Sequence, residues 1–145
     1  MVSFLVQLLV GIAGGIASGL QAPFTGLMGQ KMGEMASVFV TYVGGAIVIA
    51  IITVFAGGQG LSGWRTLPWY VFLAGPMGLV IVGSLSYTVP RLGATTATTL
   101  FVLSWLAFSA LADHFGWFGL AARPLDISRL LGVLALIAGT WLVIR

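Results

Sequence analysis

Few residues in this chain could do chemistry. Asp113 and His114 are neighbours, Asp126 precedes Arg129 by three, and Glu34 follows Lys31 by three. Adjacent residues on a helix point about 100° apart, so Asp113 and His114 cannot converge on one atom from a shared face. There is no second His, no Cys, and only two further acids. Neither a metal set nor a nucleophile triad can be assembled from that inventory. The sequence therefore predicts no enzyme, no metal and no cofactor. Asp113 keeps two readings, an interfacial residue paired with Arg123 or Arg129, or a group for proton or ion coupling. Asp126 and Glu34 read as helix-start carboxylates that offset the dipole and meet orphan amides. No acid falls in the middle of an apolar run, where proton pumps and transporters place theirs.

Hydroxyl groups offer more. Projected at 100° per residue, Thr95, Thr98, Thr99, Val102, Leu106, Ser109 and Asp113 form one stripe, with Trp105 at its margin. Single Thr or Ser residues often bond back to their own helix. A shared stripe points instead to the interior of a bundle or a water-filled path. Gln7, Gly14, Ser18, Ala22 and Thr25, with Gln21 at the edge, share a face nearer the N-terminus. Either a tight helix seam or one wall of a cavity fits them. Ser84 and Tyr87 share a face with Pro76, Val80 and Gly83. The expected cavity residues are thus Gln21, Thr25, Ser84, Tyr87, Thr95, Thr98, Thr99, Trp105 and Ser109. Tyr87 and Trp105 could hold an apolar or cationic group by stacking.

The elements that must position these residues follow from composition. Of 145 residues, 59% are hydrophobic and 6% charged, with a mean hydropathy of +1.13. No water-soluble surface can be built from so few charges, and the high pI is no nucleic-acid signal. Membrane-crossing helices need roughly 20 mostly apolar residues. Five such spans are expected, at about 4–24, 35–55, 69–89, 94–112 and 127–144, in a single transmembrane domain. The first reads as a retained helix rather than a signal peptide, for want of a basic start and a cleavage site. A turn at Gly57-Gly58-Gln59-Gly60 follows the second. Gly75-Pro76 predicts a kink inside the third. Gly11, Gly15 and Gly19, one per turn, and Gly132 with Gly139 suit close helix approach.

An odd span count places Arg65, Arg123 and Arg129 on one side and Lys31, Arg91 and Arg145 on the other. Orientation follows an excess of Lys/Arg on one side, and three against three is no excess. Either a weaker signal sets the topology, or the chain inserts both ways and pairs head to tail.

The segments Val89-Pro90-Arg91-Leu92-Gly93-Ala94-Thr95, Leu111-Ala112-Asp113-His114-Phe115-Gly116-Trp117-Phe118-Gly119, Leu125-Asp126 with Arg129 and Gly132, and Gln21-Ala22-Pro23 resemble the YdcZ-type small five-helix family. That family belongs to the drug/metabolite transporter superfamily, and the likeness covers essentially the whole chain. The chain departs from the family at Thr25 and Trp105, where Asn and Gln are usual. The resemblance implies a bacterial inner-membrane location and an all-α fold equal to one half of a 5+5 inverted repeat. Dimerisation would complete it, as an antiparallel homodimer or with a homologous five-helix partner. The superfamily's four-helix members use a membrane Glu in their first helix; none stands here, so their proton exchange does not carry over.

The leading expectation is an exporter of small metabolites or drug-like molecules, working by alternating access. A dual-topology ion channel and a non-transporting subunit of a heterodimer remain alternatives. The expected partners are the bilayer, a second five-helix chain and a small-molecule substrate, with no nucleic acid.

Overall fold

Uninterrupted apolar sequence between glycines builds long helices here, and two single glycines end them. The computed structural model describes residues 2–58, 61–119 and 121–145. α1 runs Val2–Met32, α2 Glu34–Phe55, α3 Ala74–Leu92, α4 Ala94–Phe115 and α5 Ile127–Ile144. Short 3₁₀ segments occupy Leu61–Thr66, Trp69–Leu73 and Trp117–Gly119. No strand occurs among the described residues. Five helices are long and apolar enough to cross a membrane, as the hydropathy pattern requires.

α1 outruns its expected end at Phe24. Its 31 residues extend about 46 Å at 1.5 Å each. Pro23 lies inside it, where a proline removes the bond from its own nitrogen to the Gly19 carbonyl and crowds that carbonyl, yet the helix continues to Met32. The helix stops at Gly33, whose φ of 86° and ψ of 157° favour glycine. Gly93 repeats this geometry, at 82° and 154°, between α3 and α4. The kink expected at Gly75-Pro76 is replaced by a change of helix type. Trp69–Leu73 is 3₁₀, and Pro76 falls in the first turn of α3, where amides lack helical partners anyway. Of the expected turn after α2, Gly57 and Gly58 take positive φ, while Gln59 and Gly60 lie outside the described residues.

The chain divides into two compact units, Met1–Arg91 and Leu92–Arg145. In the first, the C-terminal half of α1 packs on α3 and the start of α2. Ala22, Thr25, Ser37, Val82, Leu85, Ser86 and Val89 are buried. The α3 members recur at the i, i+3, i+4, i+7 spacing of one helix face. At the centre, the Thr25 carbonyl accepts hydrogen bonds from the Ser37 hydroxyl at 3.0 Å and the Ser86 hydroxyl at 3.2 Å. Two glycines make this approach possible. A Cβ on Gly26 would lie 2.9 Å from Val89 Cβ, and one on Gly29 would lie 2.7 Å from the Ser86 carbonyl oxygen. That carbonyl is the one Pro90, four residues on, leaves without its helical donor. Farther along, Gly78 of α3 accommodates the Tyr42 hydroxyl of α2.

In the second unit α4 packs on α5, and Ala97, Ala112 and Thr140 are buried. α4 extends to Phe115, past the expected end at Ala112, and closes at Gly116 in the left-handed conformation. The following loop is tied back to it. The Arg123 amide donates to the Asp113 carbonyl at 2.7 Å, and the Leu125 amide to His114 Nδ1 at 3.1 Å. The expected role of Asp126 is realised, since it caps α5 by accepting from the Arg129 amide at 2.8 Å.

Most large apolar side chains in both units point outward, among them Phe4, Ile49, Met77, Leu130 and Ile137. Large exposed apolar area is untenable in water. Lipid is therefore the solvent for these faces.

Candidate functional site

Among the described residues, a half-open cavity of about 190 Å³ lies in the second unit. Thr98, Thr99, Val102 and Leu103 of α4 and Leu136 and Thr140 of α5 line it. The spacing explains the set. Positions 98, 99, 102 and 103 share one α4 face, and 136 and 140 stand one turn apart on α5. Its walls are the methyl, isopropyl and isobutyl groups of threonine, valine and leucine, and three hydroxyls supply the polarity.

Those hydroxyls differ. Thr99 donates to the Thr95 carbonyl at 2.7 Å, and Thr140 to the Leu136 carbonyl at 2.7 Å. Each thereby satisfies its proton within its own helix and keeps its lone pairs. Thr98 makes no side-chain hydrogen bond among the described residues, so it can both donate and accept. No ionisable group lines the cavity. The arrangement can hold a small, largely apolar molecule with one or two polar groups, and it has no group suited to proton transfer or nucleophilic attack. Ligand pockets commonly enclose 300–1,000 Å³, so a space this size suits a small solute or a fragment of a larger one.

The structure distributes the residues singled out by sequence over several environments. Thr98 and Thr99 line the cavity. Thr95 is exposed one turn away, its carbonyl engaged by Thr99. Ser109 is half-buried farther along α4, and Trp105 is 60% exposed, its ring 5.9 Å from Phe101. In the first unit, Gln21 and Ser84 are exposed, with Ser84 bonded to the Ile81 carbonyl at 2.8 Å. Thr25 is 1% exposed and its hydroxyl donates to the Ala22 carbonyl at 3.0 Å. The face of α3 turned inward is that of Val82, Leu85, Ser86 and Val89, rather than the one carrying Ser84 and Tyr87. Tyr87 is occupied by the chain's own cation, the Arg91 guanidinium 3.6 Å from the ring centroid. Asp113 is half-buried in the last turn of α4, and no ion pair involves it among the described residues.

The glycines expected at helix interfaces, Gly11, Gly15, Gly19, Gly132 and Gly139, each face open space, with nothing within 4 Å of a built Cβ. Gly26 and Gly29 do mediate a helix crossing and were missed by the sequence reading, although they continue the same small-residue series. Thr140 was missed as a cavity residue too. It is the one polar side chain of α5 beyond its first turn, and that isolation was its signal. Glu34 stands in the first turn of α2 without capping an amide and pairs instead with Arg91 at 3.3 Å.

A family model matches residues 6–142; the family is DMT_YdcZ, described as "Putative inner membrane exporter, YdcZ". No curated protein and no solved structure matches the chain. The chain belongs to this inner-membrane exporter family of the drug/metabolite transporter superfamily, and it is a multi-pass membrane protein.

Proposed function

We propose that this member of the exporter family moves small, mostly apolar molecules across the inner membrane by alternating access, as an antiparallel pair of five-helix chains. It transports and does not transform its substrate. The observation that carries the reading is the cavity of Thr98, Thr99 and Thr140 between α4 and α5, where hydroxyls gather inside a unit otherwise turned toward lipid. Polar groups at membrane depth cluster along solute paths. The pairing rests on the balanced basic residues and on five helices amounting to half of an inverted repeat. A cavity of this size on one chain is consistent with a site that a second copy enlarges.

The test is release of solutes from proteoliposomes loaded with a panel of small neutral metabolites and drug-like amines, read by mass spectrometry. At least one solute should leave faster than from protein-free vesicles. Thr98→Val keeps the shape and removes the uncommitted hydroxyl, and one lost hydrogen bond of about 0.5–1.5 kcal/mol should slow release about 2- to 13-fold. Unchanged release from Thr98→Val would refute the cavity as the path. A C-terminal tag reached by a membrane-impermeant reagent from both sides supports the antiparallel pair, and one-sided labelling refutes it.

A further inference from the structure

Arg91 closes α3 with a fully committed posture and a half-empty fork. Its guanidinium lies over the Tyr87 ring at 3.6 Å. Its Nη1 donates to the Tyr87 carbonyl at 2.7 Å and to Glu34 Oε1 at 3.3 Å. Both hydrogen bonds thus fall on one nitrogen. Nε and Nη2, the edge that binds carboxylate or phosphate through two parallel hydrogen bonds, have no partner among the described residues. The Arg91 and Glu34 side chains are 50% and 41% exposed, so neither is enclosed by the fold.

Two features argue against a completed ion pair. Glu34 engages a single nitrogen, at a length long for a charge-assisted bond. Exposed pairs of this kind hold their geometry weakly. The ring and the carbonyl, by contrast, fix the guanidinium before any ligand arrives, so little side-chain freedom is lost on binding. Lys31, three residues before Glu34 in the last turn of α1, leaves this end of the first unit with two cations and one acid.

The geometry points to Arg91 as an oxyanion-binding site at the end of α3, held by Tyr87 and shared with Glu34, that takes a carboxylate or phosphate group. The group could belong to a soluble anion or to the headgroup of an acidic lipid. The site is independent of the α4–α5 cavity and of the transport reading.

The test uses the full chain, labelled with ¹⁵N at arginine, in maltoside micelles, which carry no oxyanion. The Arg91 Nε–H resonance, assigned by its loss in Arg91→Lys, is followed as sodium phosphate or sodium acetate is added at constant ionic strength. In a separate arm phosphatidylglycerol is mixed into the micelles. A saturable shift with phosphate or acetate establishes a soluble ligand, and one with phosphatidylglycerol alone establishes the lipid headgroup. No saturable shift in either arm overturns the proposal. Two folded variants push in opposite directions. Glu34→Gln removes the competing carboxylate and should tighten binding several-fold, whereas weaker binding would overturn the site. Arg91→Lys keeps charge without the fork and should bind roughly tenfold more weakly, read by retention of phosphatidylglycerol or phosphate on the purified protein. Equal retention would mean that charge alone suffices and the fork is unused.

Discussion

Replacing Gly29 by Ala adds one methyl group where α1 and α3 leave no room for it. The new Cβ would lie 2.7 Å from the Ser86 backbone oxygen and nearer still to the Ser86 hydroxyl. A backbone atom cannot rotate away, so the helices must separate. Overpacking of this kind costs about 1–3 kcal/mol. Separation also threatens the Ser86 hydrogen bond to the Thr25 carbonyl, worth about 0.5–1.5 kcal/mol. Against this stands the gain from removing a helical glycine, about 1 kcal/mol. The balance is a net loss of roughly 0.5–3.5 kcal/mol. Gly15→Ala is the control, since nothing lies within 4 Å of its built Cβ. In an isolated chain it should gain about 0.5–1 kcal/mol, but it should weaken dimerisation if the Gly11–Gly15–Gly19 stripe is the seam between copies. Thermal unfolding in maltoside micelles, followed by circular dichroism, reads the first effect. Chemical cross-linking in membranes reads the second. A Gly29→Ala protein as stable as the parent would refute the close α1–α3 crossing and the packing argument built on it.

Three further outcomes are expected. The Arg129 amide, followed by the Ser128 hydroxyl, holds the Asp126 carboxyl below its ordinary value. Its stabilisation of α5 is therefore present above the ordinary carboxylate range and lost as pH falls through the lowered value. Protection of the Arg129 amide, taken as its exchange rate relative to the intrinsic rate at the same pH, should fall in acid, and in Asp126→Ala it should be low at every pH. Gly93→Ala forces a side chain into φ near 82° with ψ near 154°, a region essentially confined to glycine, and should cost about 1–3 kcal/mol in thermal unfolding; Gly33→Ala, in matching geometry, should cost the same. Ser37→Ala removes one of two donors to the Thr25 carbonyl and should destabilise the first unit by about 1 kcal/mol, while leaving exchange of α5 amides unchanged.

Much of the architecture was legible residue by residue, because hydropathy and helix breaking are local properties. Ala94, Phe55 and Ile127–Ile144 fall where apolar runs begin and end, and Asp126 announces the start of α5 by its position before Arg129. The helices run on past Phe24 and Ala112, where the expected spans end, for one reason. A helix ends where the backbone must turn, at Gly33 and Gly116, and polar side chains alone do not stop it. The Gly75-Pro76 kink failed because a proline's effect depends on its place in the helix, and that place was set by the preceding 3₁₀ segment.

Sequence by itself determined that five helices would cross lipid and that the hydroxyls of α4 share a stripe, since a 100° rotation per residue is intrinsic to the helix. Only tertiary structure decided which stripe meets a neighbour. α3 turns in Val82, Leu85, Ser86 and Val89 rather than the Ser84–Tyr87 face, because Gly26 and Gly29 let α1 approach there. The cavity exists only because Thr140 of α5 comes opposite Thr98 and Thr99. Tyr87, read as a platform for a foreign cation, carries Arg91 instead. Periodicity specifies directions around one axis; contact depends on a second axis, and no single helix encodes it.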